Sequence, residues 1–151
     1  MAVLYFRIHA KTGVAVEVNL AVLADYANVS QDGKLNIMGI FQEVNPPVLP
    51  FALPQMYLVI SFEAGPAEFG STKNVRIALL ESDGSEMLAL EGQTEVPRPP
   101  RPGSRAFMNQ VIGLNGITFQ QPGDYAFSIL VGGETKETIG LHVHKPTRGD
   151  S

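Results

Sequence analysis

The sequence predicts an all-β protein: a single-domain antiparallel β-sandwich of about eight to nine strands with essentially no helix. Turn-forming residues recur about every 8–12 residues and separate short segments in which apolar and polar side chains alternate. No window of about 11 residues keeps the 3.6-residue apolar period of an amphipathic helix. Regular turns, two-residue alternation and the lack of helical periodicity are together typical of a sandwich.

The central predicted element is a hairpin, Asn19–Phe41, in which a polar turn at Ser30–Gly33 joins two apolar strands. Glycine in such a turn accepts a positive φ at low cost, and aspartate hydrogen-bonds to its own backbone. The even-numbered residues before the turn form an unbroken apolar stripe: Val14, Val16, Val18, Leu20, Val22, Ala24 and Tyr26. This period-2 pattern predicts that Val22 lies in the core, together with Phe41 of the returning strand.

The rest of the chain repeats this plan around two proline-rich connections, Val44–Pro54 and Val96–Arg105. Proline donates no ladder hydrogen bond, so these segments are expected to cross between sheets and not to lie inside one. Gly39, within the second strand of the hairpin, predicts a bulge or a close backbone approach. The later predicted strands are Gln55–Ala64, Lys73–Glu81, Ser85–Glu91, Arg105–Leu114, Ile117–Phe119, Asp124–Val131 and Glu134–His144.

The length of 151 residues predicts one folded domain, residues 18–145. Residues 1–17 are either an N-terminal extension or an added edge pair of strands, Val3–Ile8 and Val14–Val18. Residues 146–151 form a polar tail that we expect to fray.

Composition excludes several chemistries. The chain has no cysteine, which excludes disulfides, thiolate zinc sites, iron–sulfur clusters and a cysteine nucleophile. Its formal net charge of −4 argues against a nucleic-acid-binding surface. The N-terminus lacks the pattern of a signal peptide, and proline, glycine and amide side chains interrupt the two long uncharged stretches. We therefore expect a soluble cytoplasmic protein with no nucleic-acid or membrane partner.

No catalytic or phosphate-binding motif is present: GxxxxGK[ST], GxGxxG, GxSxG and HExxH are all missing. We expect no cofactor and assign no catalytic residue. The candidate metal ligands are His142 and His144, which lie two residues apart and so on one face of the last strand, with His9 or Glu137 as a third ligand. Strand alternation alone also produces this pair as a polar, solvent-facing side, and we favour that interpretation.

The first turn carries a second group of candidate metal ligands. Asp25, Asn28 and Asp32 could offer oxygens to Ca²⁺, but they lack the D-x-[DN]-x-[DN]-G order of a calcium loop. Asparagine and aspartate are common in turns because their side chains hydrogen-bond to the nearby backbone. Turn formation is therefore the better explanation of these three residues.

The loop Val96–Arg105 is a candidate interaction loop because Arg98, Arg101 and Arg105 stand on a stiff polyproline segment. Such a segment could dock on an acidic or aromatic surface at low entropic cost. It misses the usual PxxPx[KR] spacing, since Arg101 comes one position early. We favour the alternative of a rigid connector with solvated arginines.

Four segments resemble a bacterial domain family of unknown function: LAVLADYANVSQDGKLNIMGIF, PPVLPFALP, MYLVISFEA and PGDYAFSILVGGE. The resemblance spans about residues 18–143, and the first segment is the most specific. It implies a compact all-β domain without assigned site residues. Residues 1–17 depart from it, since they precede the expected initiator methionine.

The leading functional hypothesis is a non-catalytic protein-interaction or self-association module, because the catalytic motifs are missing and the composition is apolar. The first alternative is a sandwich that binds a small molecule or a glycan. A glycan site needs an aromatic platform, and the chain has no tryptophan and four tyrosines: Tyr5, Tyr26, Tyr57 and Tyr125. The second alternative is a metal-dependent enzyme built on His142 and His144.

Overall fold

The computed structural model describes residues 16–147 and confirms an all-β fold. Its strands are β1 (Glu17–Val29), β2 (Leu35–Phe41), β3 (Glu43–Val44), β4 (Phe51–Leu53), β5 (Tyr57–Ala64), β6 (Thr72–Leu80), β7 (Glu86–Glu95), β8 (Ala106–Gly113), β9 (Ile117–Phe119), β10 (Gly123–Val131) and β11 (Glu134–Val143). Eight of them have seven or more residues, in agreement with the predicted count. The predicted strand Val3–Ile8 and the first two residues of its predicted partner Val14–Val18 lie outside the described residues.

Two sheets pack face to face. One has four strands in the order β2-β1-β5-β8, and the other has five in the order β3-β11-β10-β6-β7. Neighbouring strands are antiparallel, apart from the short parallel pair of β3 with β11. The helical content of residues 16–147 is one 3₁₀ turn at Pro66–Glu68. No helix in this part of the chain is long and apolar enough to cross a membrane.

The core lies between the two sheets and follows from strand alternation. On β10, Tyr125, Phe127, Ile129 and Val131 are buried, while the residues between them are partly exposed. On β5, the core-facing residues Leu58, Ile60 and Phe62 pack against the same cluster. Side chains two apart on a strand share a face, so each strand contributes one apolar row to the core.

The first proline-rich connection closes one end of the core. Within Val44–Pro54, the short strand β4 pairs with β9 outside the two main sheets. Phe51 and Leu53 of β4 pack against the core, and Phe119 of β9 is fully buried. The connection therefore crosses between the sheets as predicted. It also forms a two-stranded ladder with β9, which its proline-rich sequence did not indicate.

β1 changes the face that it turns to the core. A register shift against β5 between Val18 and Leu20 adds one residue to β1. Its core-facing residues are Val16 and Val18 before the shift, and Ala21 and Leu23 after it. The predicted stripe is therefore wrong beyond Val18. Val22 pairs with Val59 on the outer face of the sheet, whereas Phe41 packs against the core as expected.

The tip of the β1–β2 hairpin folds over that outer face. Asn109 on β8 points away from the core, because its neighbour Met108 points into it. The Nδ2 of Asn109 donates a hydrogen bond of 3.2 Å to the carbonyl of Gly33 in the hairpin turn. The turn thus reaches β8, which lies two strands away from β1 in the sheet. This cover accounts for the complete burial of Val59, which lies on the outer face and does not belong to the core cluster.

Gly39 is required by a close approach within the same hairpin. Its φ is +70°, in the left-handed region that favours glycine. A Cβ at this position would overlap the Oδ2 of Asp25 and lie 2.9 Å from its Cγ. The sequence-based expectation of a close backbone approach at Gly39 is confirmed.

Truncation of the core should be costly. Phe127 is fully buried between the sheets, so we expect Phe127→Ala to lower the free energy of unfolding by about 3–5 kcal/mol. Urea denaturation monitored by circular dichroism measures this difference. The control is Met38→Ala, since Met38 is 65% exposed and its loss should change stability by less than about 0.5 kcal/mol. Equal effects of the two substitutions would contradict the assignment of the core.

A paired glycine comparison tests the approach at Gly39. Gly33→Ala places a methyl group in open space at a φ of +82° and should cost about 1–2 kcal/mol from backbone strain alone. Gly39→Ala adds the overlap with Asp25 to similar strain, so its loss of stability in urea denaturation should be clearly larger. Adding Asp25→Ala should recover part of that loss. Equal costs at both glycines would show that the side chain of Asp25 can move aside freely.

Candidate functional site

Exposed apolar side chains concentrate on one face of the β1–β2 hairpin. Tyr26 is 44% exposed, Met38 65% and Ile40 59%. Tyr26 and Met38 are direct partners in the ladder, as are Ala24 and Ile40, so the three exposed side chains share a face. We refer to Tyr26, Met38 and Ile40 as the hairpin patch. It stands on β2, an edge strand with no second neighbour among the described strands.

The hairpin patch is bounded by uncharged polar groups on the side of the turn. The Nδ2 of Asn36 donates to the Oδ1 of Asn28 across the ladder at 2.9 Å. The Nδ2 of Asn28 in turn donates to the hydroxyl oxygen of Tyr26 at 3.4 Å. These hydrogen bonds hold the tyrosine hydroxyl in place. Between the Asn28–Asn36 pair and Ile40, this face of the hairpin carries no charged side chain.

On this face of the hairpin, charged side chains occur only at the turn, where their contacts stabilise the turn. The Ser30 hydroxyl donates to the Asp32 carboxylate, and the Nζ of Lys34 lies 3.0 Å from Oδ2 of the same carboxylate. These two hydrogen bonds, that from Ser30 first, lower the pKa of Asp32. The other two predicted calcium ligands do not join it: Asp25 lies against the backbone of β2, and Asn28 pairs across the ladder. Turn formation therefore explains Asp32, whereas Asp25 and Asn28 have other contacts within the hairpin.

His142 near the end of β11 and His144 directly after it lie on one side of the chain, and their ring centroids are 4.3 Å apart in an edge-to-face arrangement. The Nδ1 of His142 is 2.5 Å from the Oδ1 of Asp124 on β10. The Nε2 of His144 is 3.3 Å from the Oε1 of Glu43 on β3. Each imidazole therefore has a carboxylate of its own from a neighbouring strand, and both rings are partly exposed to solvent.

The two predicted third ligands do not complete a metal site within the described residues. Glu137 lies five residues before His142 on β11, which places it roughly 16 Å away at the usual strand rise. His9 lies outside the described residues. Between residues 16 and 147, no group of three or more histidine, aspartate or glutamate side chains is placed to hold a metal ion.

The three arginines of the proline-rich loop have different surroundings. Arg105 forms an ion pair with Glu63 of β5 and is partly buried, so it ties the loop to the four-stranded sheet. Arg98 extends beside Gly70. The carbonyl of Arg101 accepts a hydrogen bond from the Ser104 amide in a turn. The side chains of Arg98 and Arg101 remain as exposed cations of the predicted interaction loop.

The described tyrosines do not form a flat aromatic platform. Tyr125 is buried, and its hydroxyl donates to the carbonyl of Gln121 at 2.6 Å. Tyr26 and Tyr57 meet edge to face, with ring centroids 5.5 Å apart and planes at 74°. Tyr5 lies outside the described residues. The geometry offers no stacking surface of the kind that a glycan site uses.

Sequence reasoning missed the hairpin patch. Alternation usually separates a core face from a polar face, and it predicted Phe41 in the core without assigning Met38 or Ile40 to a surface. β2 is in fact apolar on both faces, with Leu35 and Ile37 on one and Met38 and Ile40 on the other. Two apolar faces on one edge strand are the signal that could have indicated an interaction surface.

Comparison with known structures finds a distant likeness. The alkylpurine DNA glycosylase AlkC of Pseudomonas fluorescens, bound to DNA containing an abasic site analogue, is 13% identical to this chain with a TM-score of 0.47. The match covers 90% of this chain and 32% of the glycosylase, so the chain spans about a third of that protein's length. A likeness at this TM-score carries no argument about function. No curated protein matches the chain.

The family comparison confirms the resemblance seen in the sequence. The family model matches almost the whole sandwich, from the first half of β1 to the residue after β11. The matched region includes the hairpin patch, His142 of β11 and His144 directly after it. The chain belongs to the family of unknown function DUF6941, whose model matches residues 19–144.

Proposed function

We propose that this protein is a non-catalytic β-sandwich module that acts by self-association through the hairpin patch. The observation that carries the proposal is the contiguous apolar face of Tyr26, Met38 and Ile40 on an edge strand. Exposed apolar groups that cluster on one surface mark interaction sites more often than scattered ones do. The module is proposed to be cytoplasmic, as its cysteine-free sequence favours.

The charge distribution favours a second copy as the occupant of the hairpin patch. The chain carries a formal net charge of −4, so two copies repel each other on most approaches. β2 carries no charged residue between Leu35 and Phe41, and an apolar surface is complementary to itself. A two-fold axis beside β2 would bring the same patch of both copies together.

The free energies of burial and association indicate that backbone pairing along the edge of β2 must also contribute to the stability of the dimer. Complete burial of a large apolar side chain is worth roughly 1.5–3 kcal/mol, so the exposed parts of three such side chains on two copies supply about 5–10 kcal/mol. Association costs about 4–15 kcal/mol in lost freedom of motion, which makes the patch alone marginal. β2 has no proline and no charge, the usual features that prevent edge pairing. Antiparallel pairing of β2 with its symmetry mate would supply the missing stability.

Sedimentation equilibrium over a range of protein concentrations tests the proposal. The wild-type protein should be a dimer, and the double variant Met38→Glu/Ile40→Glu should be a monomer, because dimerisation would bury four unpaired carboxylates. Both forms should keep the same far-ultraviolet circular dichroism, since the two side chains lie outside the core.

The matched control is Val48→Glu. Val48 is 59% exposed, the same value as for Ile40, but it lies in the proline-rich connection and not on the patch. This variant should remain a dimer. A wild-type protein that is monomeric at every concentration would overturn self-association, even if a different protein were found to bind the patch. Dissociation by Val48→Glu as well would show that the patch is not the specific contact.

A further inference from the structure

The sandwich is open along the side opposite the hairpin patch. β8 and β7 are the edge strands of their sheets there, and a cleft of about 220 Å³ lies between them. Its walls are mainly apolar and come from four strands: Ile60 and Phe62 of β5, Val75 and Ile77 of β6, Leu90 of β7, and Ile112 of β8. A space of about 150 Å³ lined by such side chains is enough to hold benzene, so this cleft has room for a small hydrocarbon group.

The cleft exists because one core-facing position lacks a side chain. Gly92 lies between Leu90 and Thr94 on β7 and faces the same way as both, toward the core side of the sheet. A Cβ built on Gly92 meets no atom within 4 Å. Gly92 is exposed, so the missing side chain leaves this space open to solvent. The backbone of Gly92 does not need glycine for a positive φ, so the missing side chain has no conformational reason.

A polar group faces the same space. Gln110 pairs with Ile60 and lies between Met108 and Ile112 on the core-facing side of β8. It lines the cleft and is partly buried, and no described residue hydrogen-bonds to its carboxamide. The carboxamide nitrogen and oxygen of Gln110 are not buried, so they are accessible both to solvent and to the polar group of a bound molecule. Gln110 is therefore placed to bind the polar end of a molecule in the cleft.

We propose that the cleft binds a small uncharged amphiphile. Its aliphatic part lies between the sheets in the space left by Gly92, and its hydroxyl or amide group hydrogen-bonds to Gln110. The described lining includes no lysine, arginine or histidine, and its one charged residue is Glu91. A carboxylate or phosphate head group would lose hydration there without gaining a positive partner. The site is thus selective for a neutral head group.

Nuclear magnetic resonance on protein with ¹³C-labelled isoleucine methyl groups tests this site, with hexan-1-ol and hexanamide as probes. Both probes should cause saturable shifts of the methyl resonances of Ile60, Ile77 and Ile112. Hexanoate, which has the same chain with a charged head group, should bind at least tenfold more weakly. No saturable shift with either neutral probe, or equal affinity for hexanoate, would overturn the proposal.

Two substitutions separate the cleft from general apolar adsorption. Gly92→Leu fills the space and should weaken hexan-1-ol binding at least tenfold, whereas Ala89→Leu places a leucine side chain on the opposite face of β7 and should leave binding unchanged. Gln110→Met keeps the length of the side chain but removes its hydrogen-bonding amide, and should weaken binding about two- to tenfold. If Gly92→Leu does not fold, Gly92→Val serves the same purpose. Wild-type affinity in a folded Gly92 variant would show that the probe binds elsewhere.

Discussion

The register shift between Val18 and Leu20 in β1 is the constraint on which the rest of the molecule depends. One added residue exchanges the two faces of the strand, because side chains alternate with a period of two. The core then receives the small Ala21 and the large Leu23, and Val22 is left on the outer face. That outer face is consequently apolar, and an apolar outer face requires a cover. The folded-over tip of the same hairpin supplies it, held in place by the hydrogen bond from Asn109 to Gly33.

The hairpin covers part of the sheet, but one face of the hairpin itself stays uncovered among the described residues, and this face carries the hairpin patch. Segments of the hairpin that lie over the sheet bury residues such as Ala27, whose exposed fraction is only 4%. The opposite face of the same two-stranded ribbon has no layer above it in the described part of the chain, and there Tyr26 and Met38 are exposed. The β1–β2 hairpin, which covers the sheet with one face, therefore exposes an apolar surface on its other face. Its apolar composition is what the self-association proposal explains.

The sequence predicted what is locally encoded. The predicted strands Lys73–Glu81 and Ser85–Glu91 correspond to β6 and β7, and the Gly84 amide donates to the Glu81 carbonyl at 2.9 Å in the turn between them. The strand predicted at Asp124–Val131 corresponds to β10, and alternation predicted the shared face of the two histidines. The face assignment of β1 failed, because a bulge leaves no mark in a segment that is apolar at nearly every position. The contact between the hairpin tip and β8 was also beyond reach, since it joins residues 76 positions apart in sequence. The local sequence pattern predicts where the strands lie, but contacts between residues distant in sequence determine which apolar faces stay exposed.

The two lateral sides of the sandwich differ for a reason that lies in the chain path. On the side of β2, the chain passes directly from one sheet to the other: Phe41 ends β2, Glu43 begins β3, and the amide of His142 on β11 bonds to the carbonyl of Gln42 between them at 2.8 Å. Backbone closes the core there. No comparable crossing joins β7 to β8 at mid-strand, because their connection is the proline-rich loop at the end of the sheets. Only side chains can seal that opening, and Gly92 and Gln110 are poorly suited to do so. The open side is therefore where an added molecule can complete the core without displacing any part of the fold.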